Sequence, residues 1–188
     1  MRIIAGRLRG KKLAEVGAGD AAAHLRPTTD RVRESLFNLI ASGKHGDPIT
    51  GARVLDLFAG TGALGLEALS RGAAHATFVD DGKAAQALLR ENLALCSLQS
   101  ASQIIRRNAS DLGPVRGAPF DLVFLDPPYG QGLGDRALAS ALAGGWIAPG
   151  ALIVWEDSAP PLPPAGFDLL DQRGYGGTVI TLLRRVAA

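Results

Sequence analysis

The stretch from Phe120 to Tyr129 constrains the fold of this chain more than any other. Phe120-Asp121-Leu122-Val123-Phe124-Leu125 is an apolar run of strand length. Such a run suits a strand covered on both faces, as in a parallel sheet between helices. Pro127 and Pro128 cannot continue a strand ladder, so the chain must turn out of the sheet after Asp126. The surrounding sequence repeats the theme. Strand candidates are 53–57, 76–80, 102–107, 121–125 and 151–156, and helix candidates are 63–71, 83–95 and 135–143. This alternation implies an α/β fold with a mostly parallel, doubly wound sheet. The tail departs from it. Segments 167–173 and 178–184 flank Gly174-Tyr175-Gly176-Gly177, a hairpin signal. A seven-stranded sheet closing in an antiparallel hairpin is expected.

The first part of the chain has a different character. Arg2 to Gly6 and Lys11 to Val16 can pair as a small basic β-hairpin across Arg7-Leu8-Arg9-Gly10. Gly17 to Ala23 reads as a linker. Residues 1–24 are therefore expected to form a hairpin and linker, and 25–188 the main domain. Thr28, Thr29 or Asp30 can cap a helix whose apolar face is Val32, Leu36, Phe37, Leu39 and Ile40. Residues 1–33 hold eight Lys/Arg and three acids, a net +5, whereas the remainder holds twelve and fifteen, a net −3. A basic arm on a near-neutral body suggests a polyanionic partner. The plain alternative is a solvated, charged terminus.

At 188 residues with 47% hydrophobic content and a mean hydropathy of +0.14, the chain suits one globular domain. No apolar run is long enough to cross a bilayer, and no secretory signal is visible. A single cysteine, Cys96, excludes an internal disulfide and fits a reducing cytoplasm. It lies in an apolar helical pattern and reads as an inert buried thiol. His24, His45 and His75 are scattered, and no cluster has metal-ligand spacing, so no metal is expected. No long exposed apolar stripe stands out, which favours a monomer.

Ligands of open α/β sheets bind at the carboxyl edge of the strands. Asp126-Pro127-Pro128-Tyr129 places an acidic acceptor, rigid carbonyls and an aromatic face there. A planar aromatic amine needs that set. Upstream, Val54 to Gly65 reads as strand, glycine turn and helix start, with Asp56, Phe58, Ala59, Gly60, Thr61 and Gly62 in the turn region. Glycines there let a backbone approach a ligand. Asp80, twenty residues beyond Gly60, ends the next strand and suits bidentate bonding to ribose hydroxyls. Gly60-Thr61-Gly62-Ala63-Leu64-Gly65 also fits a dinucleotide fingerprint, so a nicotinamide-dependent oxidoreductase is the rival of another class. Asp56 argues against it. A carboxylate there would repel a pyrophosphate yet attract the cationic amino-acid part of S-adenosylmethionine.

The glycine turn with Asp126-Pro127-Pro128-Tyr129 resembles the exocyclic-amine N-methyltransferases of nucleic acids. Arg2-Ile3-Ile4-Ala5-Gly6, Arg9-Gly10, the segment Arg26 to Glu34 and Tyr175-Gly176 narrow the resemblance. Together they are similar to the bacterial RsmD family, which methylates a guanine N2 of 16S ribosomal RNA. The resemblance implies a class I methyltransferase fold and S-adenosylmethionine as cofactor. It implies that residues 56–62 hold the methionine moiety, Asp80 the ribose, and Asn108-Ala109 the adenine. Asp126 and the Pro127 carbonyl would accept the target amine's N–H groups, and Tyr129 would stack on the base. Arg7, Arg9, Lys11, Lys12, Arg26, Thr28, Arg31 and Arg33 would meet RNA, as 16S rRNA or an assembling small subunit. A DNA adenine-N6 methyltransferase is the rival within the class, and a catalytically silent RNA-binding protein is a third reading.

Overall fold

The computed structural model describes residues 1–15 and 29–187. Strands β1 (Arg53–Leu57), β2 (His75–Val79), β3 (Ser102–Ile105), β4 (Phe120–Leu125), β5 (Ile147–Asp157), β6 (Phe167–Tyr175) and β7 (Thr178–Arg185) form one sheet. Its order is β3-β2-β1-β4-β5-β7-β6. The first five strands run parallel, and β7 pairs antiparallel with both β5 and β6. From β1 the chain builds outward to β3, then returns to β4 on the other side of β1. That reversal is a topological switch point, where open α/β sheets open a crevice at their carboxyl edge.

Helices α1 (Asp30–Ala41), α2 (Ala63–Ser70) and α3 (Lys83–Cys96) contribute to one apolar cluster, and α4 (Leu133–Ala143) to the other. Strand side chains alternate between them. Val54, Leu122 and Val154 face the first cluster, while Leu55, Val123 and Trp155 face the second. This explains why β1, β4 and β5 are so uniformly apolar: both faces are covered. Thr29 caps α1, its hydroxyl accepting the Val32 amide at 3.3 Å. Phe37 of α1 lies 5.6 Å from Phe124 of β4 and pins the helix across the sheet.

Several boundaries differ from the expectation. β5 begins at Ile147, before Pro149-Gly150, because a register shift opposite Phe120 and Leu122 absorbs those residues. β3 stops at Ile105, and Arg107 turns away to donate to the Leu112 carbonyl. The last turn is only Gly176-Gly177, the strands running on through Gly174 and Tyr175.

The described part of the N-terminal segment pairs antiparallel at Arg2 and Lys12 but forms no regular strands. It is packed onto the body. Ile3 and Leu13 are buried in the first apolar cluster. Buried Glu67 of α2 accepts the Ile4 and Ala5 amides at 2.8 and 3.0 Å, and Ser70 receives the Leu8 amide on its hydroxyl. Gly6 has φ +79°, and a Cβ there would sit 2.0 Å from the Ser70 carbonyl oxygen. The expected linker 17–23 lies outside the described residues. No described helix is long and apolar enough to cross a membrane.

Candidate active site

The neighbouring strands β1 and β4 are paired with Leu57 opposite Leu125. The chain therefore leaves the sheet at Phe58 and at Asp126 side by side. This brings the glycine turn and Asp126-Pro127-Pro128-Tyr129 to one edge, at the switch point. β5 pairs Trp155 with Leu125, which sets Glu156 at the same level.

Phe58 has φ +60°, an uncommon backbone conformation for a non-glycine residue. The turn behind it is fastened internally. The Ala59 amide donates to the Val79 carbonyl, and the Gly62 amide to the Ala59 carbonyl. Asp80 accepts the Gly60 amide at 2.9 Å on one carboxyl oxygen and the Gly82 amide at 2.8 Å on the other. Partial burial raises its pKa, and the two amides oppose that rise. Asp80 thus clamps the turn to the start of α3. Its oxygens keep further lone pairs for a hydroxyl pair. Gly62 has φ +79°, and a Cβ there would meet Leu89 at 2.5 Å. That glycine is required by helix packing, in addition to any approach of a ligand.

Asp56 departs from its expected role. It is 1% exposed, and its carboxyl accepts the Gly65 amide in the first turn of α2 at 2.9 Å. Burial pushes its pKa up to about 8, with the neighbouring Asp80 adding to the rise. Burial therefore favours the neutral form of Asp56, which is closed inside the fold instead of facing a ligand. The objection to a dinucleotide survives for another reason. A pyrophosphate binds free amides at a helix N-terminus, and here a side chain already holds one of them.

Asp126 is half-buried, Pro127 buried and Pro128 exposed. Tyr129 is half-buried too, with its hydroxyl tied from two strands. It donates to Glu156 Oε1 of β5 at 3.2 Å and lies 3.1 Å from the Thr178 hydroxyl of β7. Burial first, then Glu156 and Asp126, push its pKa up to about 12, so it remains protonated. Glu156 and Thr178 were missed by the sequence reading. The one available signal was a glutamate ending the apolar strand Ala151 to Trp155.

Asn108 is exposed, and its side-chain carbonyl accepts the Ser110 amide at 2.8 Å, forming a turn rather than standing open. Ala109 is buried in the second apolar cluster. Arg7, Arg9, Lys11, Lys12 and Arg31 are exposed, and none has an ion pair among the described residues. Arg26 and Thr28 lie outside the described residues.

Arg33 is a correction. It is wholly buried, donating to Asp30 at 2.8 Å and to the Arg2 carbonyl, with Nε 4.0 Å from Glu67. Its charge serves the docking of the N-terminal segment and is not presented to RNA. Desolvation lowers its pKa against the raising effect of Asp30 and Glu67. Glu67, also missed by sequence reading, takes Arg71 as a second partner at 2.7 Å. Asn92 of α3 holds the segment at a second point, accepting the Ala14 amide and donating to the Thr61 carbonyl at 2.9 Å. The glycine turn and the N-terminal segment therefore share one support. No group of three or more His, Cys, Asp or Glu able to hold a metal exists among the described residues.

A sheet with a reversed central order, antiparallel strands at its end, and a glycine turn clamped by an acid defines the class I methyltransferase fold. The profile of a family described as Conserved hypothetical protein 95 matches residues 1–184. The chain belongs to that family, the RsmD family. It is 40% identical over 190 residues to the ribosomal RNA small subunit methyltransferase D of Escherichia coli K12, covering 100% of this chain and 91% of the relative. The protein of the same name from Haemophilus influenzae is 38% identical over 181 residues, covering 94% and 89%. The solved structure of yhhF from Escherichia coli, described as a candidate methyltransferase, superposes with a TM-score of 0.84 at 40% identity, covering 100% and 99% of the chains.

Proposed function

We propose that this protein transfers a methyl group from S-adenosylmethionine to the exocyclic N2 of a guanine in 16S ribosomal RNA, as free RNA or in an assembling small subunit. The observation that carries the reading is the pairing of Leu57 with Leu125, with half-buried Tyr129 just beyond. It brings the glycine turn and Asp126-Pro127-Pro128-Tyr129 to one edge, which supports their reading as methyl-donor turn and planar-amine acceptor. The rRNA methyltransferases to which the chain is 38–40% identical support RNA as the substrate.

The donor set fits S-adenosylmethionine. Residues 58–62 form the turn that would hold its methionine moiety, and Asp80 offers carboxyl lone pairs to the ribose. Asn108 and Ala109 lie after β3, on the adenine side of this scheme. When bound, S-adenosylmethionine supplies an electrophilic methyl group. A guanine amine is a weak nucleophile because its lone pair is delocalised into the ring. Asp126 and the Pro127 carbonyl accept its two N–H groups, favouring a pyramidal nitrogen with a directed lone pair. Tyr129 gives the base a stacking plane, worth about 1–3 kcal/mol per base. The base must leave its RNA stack to reach this edge. Alignment within a fixed polar site supplies most of the acceleration. Arg7, Arg9, Lys11, Lys12 and Arg31 are the exposed cations available to the RNA backbone.

The test is incubation with a labelled methyl donor and RNA or small subunits from cells lacking this activity, followed by mass-spectrometric mapping. Label at a guanine N2 is expected. Label on adenine, on another guanine atom, or nowhere would overturn the reading.

A further inference from the structure

A buried carboxyl at the active edge has no part in the scheme above. Glu156 is 4% exposed at the end of β5, on the face where Leu152 and Val154 enter the apolar core. An apolar side chain would be the cheaper occupant of such a position. Thr178 begins β7, on the face that carries Ile180 and Leu182 into the same core. Both side chains turn to one atom, the Tyr129 hydroxyl, at 3.2 and 3.1 Å. The hydrogen-bond directions close consistently: Tyr129 donates to Glu156, and Thr178 donates to the tyrosine oxygen. A phenol ring on an exit loop is otherwise free to swing about its side-chain torsions. Bonds from two different strands fix both its tilt and its depth.

We infer that Glu156 and Thr178 are positioning residues for methyl transfer, acting through Tyr129 to hold the plane on which the target base stacks. This inference rests on the base-methylation reading. Glu156 and Thr178 touch neither donor nor base in it. Their effect is on alignment, and a displacement of about 1 Å at such a site costs about a hundredfold in rate. Donor affinity, set by the glycine turn and Asp80, is independent of them.

The experiment compares wild type with Y129F, E156A, E156Q, T178V and the double variant Y129F/E156A. Single-turnover rates at saturating RNA or subunits are read beside donor affinity by calorimetry. Y129F and E156A are each expected to slow transfer about ten- to a hundredfold, the range for losing a hydrogen bond to a charged group. Donor affinity should stay within about twofold. E156Q, which keeps an acceptor, should recover most of the rate. The double variant should lose less than the product of the two single losses, because both singles remove the Tyr129–Glu156 contact. A folded, fully active E156A, or losses that multiply in the double variant, would overturn the inference. A second readout does not need turnover. The chain has two tyrosines, so ring-labelled tyrosine NMR resolves Tyr129 from Tyr175. E156A should mobilise the Tyr129 ring alone; unchanged ring signals would also overturn the anchor. If wild type transfers no label while the ring is held, the reaction itself is misread and the anchor is structural only.

Discussion

The carboxyl of Asp56 lies 2.9 Å from the Gly65 amide, sealed between the end of β1 and the first turn of α2. This contact occupies one amide of the helix N-terminus and makes Asp56 a structural acid. Its pKa near 8 means that the folded protein keeps a proton that the unfolded chain releases above about pH 4. The stability this group contributes is complete below pH 4 and is lost as pH rises toward 8. The slope is at most about 1.4 kcal/mol per pH unit. Asp56→Asn keeps the acceptor for Gly65 and removes the titration. Between pH 5 and 8, wild-type Tm should fall more steeply than that of Asp56→Asn. Equal slopes would mean that Asp56 is ionised in the folded state.

Gly62 and Gly10 separate backbone freedom from packing. Both have positive φ, +79° and +83°, but a Cβ at Gly62 meets Leu89 at 2.5 Å while one at Gly10 meets nothing. Gly10→Ala should cost only the backbone preference, about 1–2 kcal/mol. Gly62→Ala adds overpacking of about 1–3 kcal/mol and shifts the turn proposed to hold the donor. Urea unfolding should rank the two in that order, and donor affinity should fall only in Gly62→Ala. Equal stability losses would remove the packing argument.

Glu67 lies between Arg33 and Arg71 and holds the Ile4 and Ala5 amides. Glu67→Ala leaves Arg33 buried beside Asp30 alone among its present acidic partners, a loss of about 3–5 kcal/mol. Hydrogen exchange should show the Ile4 and Ala5 amides losing protection before the sheet does. Arg33→Met, which removes the buried cation and keeps much of the volume, should cost less. The reverse ranking would show that Arg33, rather than Glu67, organises this segment.

Asp126→Ala removes an acceptor from the proposed amine site but leaves the Leu57–Leu125 pairing intact. Single-turnover transfer should fall about a hundredfold or more, the scale for losing one preorganised polar group. Donor binding by calorimetry should change little. Normal turnover would take Asp126 out of the mechanism.

What was legible in the sequence follows from what is local. β1 was read to the residue because Val54-Leu55-Asp56-Leu57 is flanked by turn residues and covered on both faces. The exit after β4 was legible because two prolines end any ladder. The α1 face was misjudged at one position. Val32 does pack, partly buried, against the core as periodicity assigns, but Arg33, expected to meet RNA, is wholly buried. Its partner Glu67 lies on α2, and nothing near residue 33 announces it. Glu156 was hidden in the same way, since its meaning depends on a tyrosine in another loop. The start of β5 was lost because Pro149-Gly150 looks like a turn and is absorbed by a register shift. Asp56 was noticed, but charge was assigned to it without knowing its burial.

The N-terminal segment offers a test of partner chemistry that spares the fold. Arg7, Arg9, Lys11 and Lys12 are exposed, while the segment is held by Glu67, Ser70, Ile3 and Leu13. Reversing the four cations to Glu should leave Tm nearly unchanged, because none has an ion pair to lose among the described residues. RNA affinity should fall, and its dependence on salt should flatten by about 0.7–0.9 in log–log slope for each phosphate contact removed. Loss of affinity with an unchanged slope would place the damage in geometry rather than phosphate contacts. Unchanged affinity and slope together would leave these cations as ordinary solvated charge and put the RNA elsewhere on the protein.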